Sequence, residues 1–438
     1  MDWLRARIPG SDPAILRQSV VPANGRRTSS MRVLHTSDWH LGSSLAGKKR
    51  YDEEEAFLDW LMGVISRDSI DSLIIAGDIF DSGTPSNRAL ELYYRFLGRV
   101  GRTCCRHVLV TAGNHDSPSL LTAPRELLSA LDIHVVGSIP PTVDEEVFIF
   151  TKEDGDPALI VCGVPFLRDR DVRMAEAGES IEEKRSRLLA GISNHYREVC
   201  EVAEQHRQRT GSIVPILATG HLFAAGGNTI ADDGVRDLSI GNLLQVSAAA
   251  FPSCIDYLAL GHLHQPQMVG GETTRRYSGS PFMMGFGESD RDKEVLIVDI
   301  GTDRPVHVEP MIVPRIRDLV QIHGDADQVR DKLTELIFSG RPSWVEILLE
   351  DSGAGPSVRD EFYRITDGST VEVQKVKVSP NAGSISSITQ ESLEELNPDE
   401  VFRRCMDAAE EPEENREELI AAFREVLAGI LEGDTNAS

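Results

Sequence analysis

Basic residues are in short supply in this chain: 45 Lys and Arg stand against 70 Asp and Glu among 438 residues, a formal net charge of −25. Phosphate contacts normally come from Lys and Arg and dominate nucleic-acid affinity, so tight autonomous binding to DNA is not expected. Long apolar runs are also missing. No stretch approaches the roughly 20 residues needed to cross a bilayer, and residues 1–30 hold no segment like a signal-peptide core. The six cysteines, Cys104, Cys105, Cys162, Cys200, Cys254 and Cys405, have neither metal-ligand nor redox spacing, which predicts free thiols in a reducing cytoplasm. No Gly-rich loop ends in Lys-Ser or Lys-Thr, so the sequence offers no phosphate-binding loop of that kind for ATP.

What remains is a globular composition with 40% hydrophobic residues, long enough for two or more domains. Part of the acid excess is confined to the tail, where fifteen Asp or Glu and four Arg follow from Glu391 onward. Five short motifs recur in order: Asp38-Trp39-His40, Gly77-Asp78, Gly113-Asn114-His115-Asp116, Gly220-His221 and Gly261-His262-Leu263-His264. Each follows an apolar, β-prone run: Val33-Leu34, Leu73 to Ala76, Val108 to Val110, Ile213 to Leu217, and Tyr257 to Leu260. Runs of this kind suit strands buried on both faces. In an open α/β sheet, groups at successive strand ends converge on one edge.

The residue types at those ends point to a pair of divalent cations about 3.5–4 Å apart, which need a shared carboxylate with His, Asp and Asn around it. Oxygen and imidazole donors without thiolate favour manganese, magnesium, iron or zinc. For a single histidine the commoner role is a hydrogen-bonded loop or core residue; the ordered set of five strand-end motifs is what predicts a metal site. His35, His107, His134, His195, His206, His307 and His323 lack that context and read as structural or exposed.

The segments Met31 to Gly42, Ala76 to Asp81, Ala112 to Ser117, Pro165-Phe166-Leu167-Arg168 and Ala259 to His264 resemble the SbcD family of calcineurin-like metallophosphoesterases, bacterial DNA-repair nuclease subunits. Phosphatases of the superfamily usually continue the second motif as Asp-Arg-Gly and end the third in Glu; Asp81-Ser82-Gly83 and Asp116 here favour the nuclease branch. The resemblance implies one metal on Asp38, His40 and His264, a second on Asn114, His221 and His262, and Asp78 bridging. It implies that His115 acts on the phosphate or leaving oxygen as a catalytic residue. Asp116 would orient the His115 ring. For Asp81, a hydrogen bond to a ligand histidine and a turn-capping role are both open. Lys48, Lys49, Arg168 and Arg170 are candidate DNA-backbone contacts, with solvated surface as the alternative. Two metals, most simply Mn2+ with Mg2+ as the alternative, a coiled-coil ATPase partner, and ATP-dependent duplex-end exonuclease with single-strand and hairpin endonuclease activity complete the implied picture. Assembly would be a heterotetramer built on a dimer of this nuclease. The rivals are another phosphoesterase acting on phosphomonoesters or small phosphodiesters, and a non-catalytic scaffold.

Residues 1–30 read as a disordered extension or an upstream start assignment before Met31. Residues 31–300 alternate strands and helices, the pattern of a layered α/β domain, here a metallophosphoesterase β-sandwich flanked by helices. The acid- and Arg-rich stretch from Arg168 to Gln208 is expected as a helical insertion. Residues 301–380 predict a small α+β unit, with strands at Leu319 to His323, Trp344 to Glu350 and Val371 to Val378, which the resemblance implies is a capping domain. Residues 381–438 read as a linker and helices. After Asn397-Pro398, Leu419, Ile420, Phe423, Val426, Leu427, Ile430 and Leu431 form an apolar stripe on an acidic helix, expected to dock on the partner, with packing back on its own domain as the alternative.

Overall fold

The computed structural model describes residues 30–173, 179–211, 213–224, 245–288, 291–302, 305–350 and 356–378, together with Arg416. The expectations for the N-terminal extension and for the C-terminal linker and helices fall outside these residues.

In chain order the first half holds β1 (Met31–Thr36), the hairpin β2 (Ser44–Leu45) and β3 (Lys48–Lys49), α1 (Tyr51–Arg67), β4 (Ser72–Ala76), α2 (Asn87–Val100), β5 (His107–Thr111), α3 (Pro118–Thr122), α4 (Arg125–Ser129) and β6 (Ile133–Val136). Then follow β7 (Val147–Thr151), β8 (Pro157–Cys162), α5 (Asp169–Val172), α6 (Ile181–Thr210), β9 (Ile216–His221), β10 (Tyr257–Gly261), β11 (Gln267–Val269), β12 (Glu272–Tyr277), β13 (Glu294–Ile300) and β14 (His307–Ile312). A last group comprises β15 (Asp318–Gly324), α7 (Ala326–Ser339), β16 (Ser343–Leu349), α8 (Pro356–Thr366) and β17 (Val371–Val378).

Two six-stranded sheets, ordered β14-β13-β1-β4-β5-β6 and β11-β12-β10-β9-β8-β7, form the body. In each, four adjacent strands run parallel; antiparallel strands close both edges of the second sheet but only the β13–β14 side of the first, whose other edge is the parallel strand β6. The faces of the sheets meet through Met31, Val33, Ile74, Leu109, Leu217, Tyr257, Ala259 and Val298. The opposite face of the first sheet packs on α1 and α2 through Phe57, Leu61, Leu92 and Phe96. The second sheet is covered by α6 through Leu188, Ile192, Tyr196 and Val199. Helix α6 is therefore the outer layer of the sandwich and not an insertion: its apolar stripe has a whole sheet face to bury. Its ends are explicit, with a Ser180/Glu183 capping box and left-handed Gly211. The apolar run expected from Ile213 begins its strand at Ile216, and Ile213 itself is 81% exposed.

The first sheet extends past the boundary expected near residue 300. Strand β14 pairs antiparallel with β13 through six residues, so the sandwich runs to Ile312. Beyond it, β15, β16 and β17 form a three-stranded sheet that is wholly parallel. Every connection in it is a helical crossover, which makes the unit βαβαβ where an α+β arrangement was expected. Its core is Ile322, Val329, Leu333, Val345, Ile347 and Phe362. This unit meets the body where Arg317 stacks on Trp344, 4.2 Å from the ring centre, and reaches Asp52 at 3.0 Å and Glu53 at 3.3 Å on α1. Leu319 and Trp344 pack there on Met283 and Phe286.

Candidate metal centre

Strands β1, β4, β5, β9 and β10 are parallel within their sheets, and their C-terminal ends carry the five motifs to one edge of the sandwich. The loops there are laced together. Asp38 and His40 donate backbone N–H groups to the carbonyls of Gly77 and Asp78, both at 3.0 Å. Four of the seven predicted ligands, Asp38, His40, Asp78 and His262, hold positive φ angles of 53°, 44°, 50° and 101°. Left-handed backbone in non-glycine residues costs of order 1–3 kcal/mol each and persists where the surroundings over-determine it. The motif glycines have a steric reason: a Cβ on Gly77 would enter the His221 ring, and one on Gly113 would strike the Asp78 carboxylate.

All seven predicted ligands converge. His40 Nε2 lies 3.1 Å from His264 Nε2 and 3.7 Å from Asp78 Oδ2. His221 Nε2 lies 3.2 Å from the same Asp78 oxygen and 3.0 Å from Asn114 Oδ1, which in turn is 3.1 Å from His262 Nδ1. Asp38, His40 and His264 have donor atoms close enough to share one ion, as do Asp38, Asp78 and His221; His40, Asp81 and His115 form a third grouping. Asp38, Asp78, His40, His221, His262 and His264 are all buried.

The electrostatics fit cation binding. Burial, reinforced by the Asp78 charge, pushes the Asp38 carboxyl up to about 7 against the pull of His221, Ser37 and the His262 N–H. Burial would raise Asp78 as well, yet the facing His221, with His40 and His115, holds it well below the usual carboxylate range. Burial would lower His221, but the Asp78 and Asp38 carboxylates raise it to about 9. The cluster thus recruits positive charge as a proton on His221, at a nitrogen a cation would take. Two buried imidazole nitrogens 3.1 Å apart, His40 and His264, likewise suit a shared cation better than each other, since they can share at most one proton. The donor set, carboxylate, carboxamide and imidazole without thiolate, matches manganese, magnesium, iron or zinc.

Several supports carried no sequence signal. The Ala76 carbonyl accepts from His221 Nδ1 at 3.0 Å, which fixes the tautomer that turns Nε2 toward Asp78. Ser37 Oγ donates to Asp38 Oδ2 at 2.5 Å and meets Ser278 Oγ at 2.8 Å, while the His262 N–H donates to Asp38 Oδ1 at 2.9 Å. On α1, Glu54 accepts from the Gly42 N–H at 2.9 Å, and buried Arg50, just before the helix, holds the Met283 carbonyl at 2.6 Å.

Asp116 does not orient His115. Its carboxylate accepts the backbone N–H groups of Gly113 (2.8 Å), Phe80 (3.0 Å) and Ile79 (3.2 Å), stapling the second and third motif loops together. Burial, with the Asp78 charge, pushes it up to about 6 against those three donors. The His115 ring is held by Asp81, whose carbonyl accepts from Nδ1 at 2.9 Å. The Asp81 carboxylate stands 3.7 Å from His40 Nδ1, a position on the ligand-histidine side of the two roles left open for it. The candidate DNA contacts divide. Lys48 pairs with Glu372 on β17 and Lys49 donates to the Gly42 carbonyl at 2.5 Å, so both have protein partners. Half-buried Arg168 reaches the Asp116 carbonyl at 3.4 Å, beside the third motif, and Arg170 is 76% exposed, 3.8 Å from Asp171. Of the histidines read as structural, His35 is buried against the Tyr257 hydroxyl, and burial lowers it to about 3; His107 stacks on Phe150 and His195 pairs with Glu146 at 2.9 Å.

A layered α/β sandwich with this donor set at one sheet edge defines a metal-dependent phosphoesterase. The calcineurin-like phosphoesterase family matches residues 31–266, and a family described as the type 5 capsule protein repressor C-terminal domain matches residues 315–410. Similar proteins include the SbcD component of the SbcCD nuclease from Escherichia coli K12, 34% identical over 93% of this chain and 100% of that one. The Bacillus subtilis protein of the same name is 35% identical over 61% of this chain and 66% of its own, and that of Rhodobacter capsulatus 33% over 71% and 77%. The chain belongs to the SbcD family of nuclease subunits within the calcineurin-like phosphoesterases.

Proposed function

We propose that this chain hydrolyses DNA phosphodiester bonds with two divalent cations, most simply Mn2+, at the five-motif edge. One observation carries the reading: Asp78 Oδ2 lies between His40, in the Asp38–His264 group, and His221, in the Asn114–His262 group. A carboxylate so placed suits a bridge between two ions. When bound, such a pair supplies a nucleophile near neutral pH and charge to stabilise the phosphate. The chain's own residues do the rest. The Ala76 carbonyl keeps His221 Nε2 directed inward. His115, with Nδ1–H committed to the Asp81 carbonyl, has Nε2 left to contact the scissile phosphate, stabilising its charge or protonating the leaving oxygen. Arg168, beside that loop, is the favoured phosphate contact; Lys48 and Lys49 are disfavoured by their protein partners.

The ATPase partner is assigned to the C-terminal stripe, with duplex-end exonuclease and hairpin endonuclease activity in a heterotetramer. The chain's net charge of −25 agrees with DNA affinity supplied largely by that partner. The test is cleavage of end-labelled hairpin and linear DNA, by the chain alone and with the ATPase, in manganese, magnesium or chelator. Metal-dependent cleavage is expected, and its absence under every condition overturns the proposal. Activity only on a chromogenic phosphodiester would favour a small-molecule phosphodiesterase. Removal of residues 388–438 should abolish co-purification with the ATPase and leave metal content intact.

A further inference from the structure

At the backbone carbonyl of His264 lies a buried ion pair to which none of the five motifs points. Lys293, at the head of β13 and 3% exposed, donates through Nζ to the His264 carbonyl at 2.9 Å and to Glu288 Oε1 at 2.8 Å. The fully buried Glu288 carboxylate also accepts the Met284 backbone N–H at 2.5 Å and the side-chain amide of Gln265. Ser280 donates its own N–H to the same His264 carbonyl at 3.1 Å. Three chain segments are thereby tied at one carbonyl: the turn His264-Gln265, the loop Ser280 to Glu288, and the start of β13.

The charge needs a reason. The His264 carbonyl already has a neutral donor in Ser280, so its hydrogen-bonding capacity alone does not require a lysine. Buried ion pairs are seldom more stabilising than apolar residues of the same volume, and their best-attested use is to fix a unique arrangement. The arrangement fixed here is that of the turn carrying His264 toward His40. His262, two residues earlier, is anchored separately, by its N–H to Asp38.

We infer that Lys293 and Glu288 are positioning residues for His264 and set the affinity of the ion it shares with Asp38 and His40, leaving the ion of Asn114, His221 and His262 largely unaffected. The inference rests on the two-ion reading above. The experiment strips the full chain with chelator and titrates Mn2+ calorimetrically, recording the melting temperature of the stripped protein alongside. Wild type should take two ions. The paired change Lys293→Met with Glu288→Gln removes both charges together, so no uncompensated ion is left buried. It should weaken one ion by about 10–100-fold, the usual cost of losing a group that orients a ligand, with the other ion and the stripped melting temperature near wild type. Should that variant fail to fold, Glu288→Asp, which keeps both charges but shortens the reach to Lys293, should show a smaller loss at the same single site. Two ions of wild-type affinity in a folded variant overturn the positioning role. Equal weakening of both ions with a lowered melting temperature also overturns it, because that marks a merely structural pair. A wild-type chain that binds no Mn2+ overturns the two-ion reading and this inference with it.

Discussion

The metal edge and the small parallel unit after Ile312 follow opposite rules. At the edge, four non-glycine residues proposed as ligands sit in left-handed backbone and two carboxylates, Asp38 and Asp78, are buried within one cluster. In the unit formed by β15 to β17, no described non-glycine residue has a positive φ. Helix α7 there begins in an Asp325/Gln328 capping box and ends at left-handed Gly340, and it carries exposed ion pairs such as Lys332 with Glu335. Local preference and tertiary structure agree in the unit and conflict at the edge. Such conflict concentrates at functional sites, where surrounding structure compensates for it. Substitutions should therefore separate function from stability at the edge and couple only to stability in the unit.

The largest effect is expected at Asp78, the proposed bridging carboxylate. Asp78→Asn should reduce occupancy of both ions and lower cleavage to the level of chelated enzyme. Metal counting and calorimetry on one preparation check this; full activity with two ions would refute the bridge. Next, His115→Gln should retain both ions and cleave DNA about 10²–10⁴-fold more slowly, the usual contribution of a general acid–base group. Depleted metal or a lowered melting temperature would make it a loop support. In the small unit, Phe362→Ala removes a fully buried ring and should cost about 3–5 kcal/mol of stability. Its metal content should not change, and a matched loss of metal would erase the contrast between the regions.

The smallest effect tests the edge's buried acids through pH. Burial pushes Glu54, despite the Gly42 N–H it accepts, up to about 7 from an unfolded value near 4.5. A raised carboxyl binds its proton more tightly when folded, so stability declines as pH rises from about 4.5 to 7 and is flat above. Glu54→Gln should therefore match wild type at pH 4 and exceed it by roughly 1–3 kcal/mol at pH 8. Urea unfolding of the chelated protein at both pH values decides it, and a gain independent of pH would show that the charge of Glu54 is not its source.

The edge is more legible in the sequence than its strain suggests, because strand-end donors repeat after apolar runs, and both features are local. The extra strand β14 escapes such a reading because its outward residues give no strong period: His307, Glu309 and Ile312 are exposed on an edge strand. The helical layer α6 resembles an insertion because its stripe is diluted by charge over 30 residues. Asp116 sits beside His115 in sequence, yet its partners are N–H groups 36 and 37 residues earlier and three residues earlier. Adjacency in sequence says little about a side chain at a sharp turn.

By itself the sequence determined the donor types, their order and their placement after buried strands, since residue chemistry and burial periodicity are properties of short segments. Only the tertiary structure decided which atoms meet. The registry of two sheets brings His264 from β10 to His40 after β1, and left-handed turns aim Asp38 and Asp78 inward. A carbonyl of Asp81, rather than the carboxylate of Asp116, holds His115. These depend on contacts between segments up to 224 residues apart, and no local pattern encodes the direction in which a strained turn points its side chain.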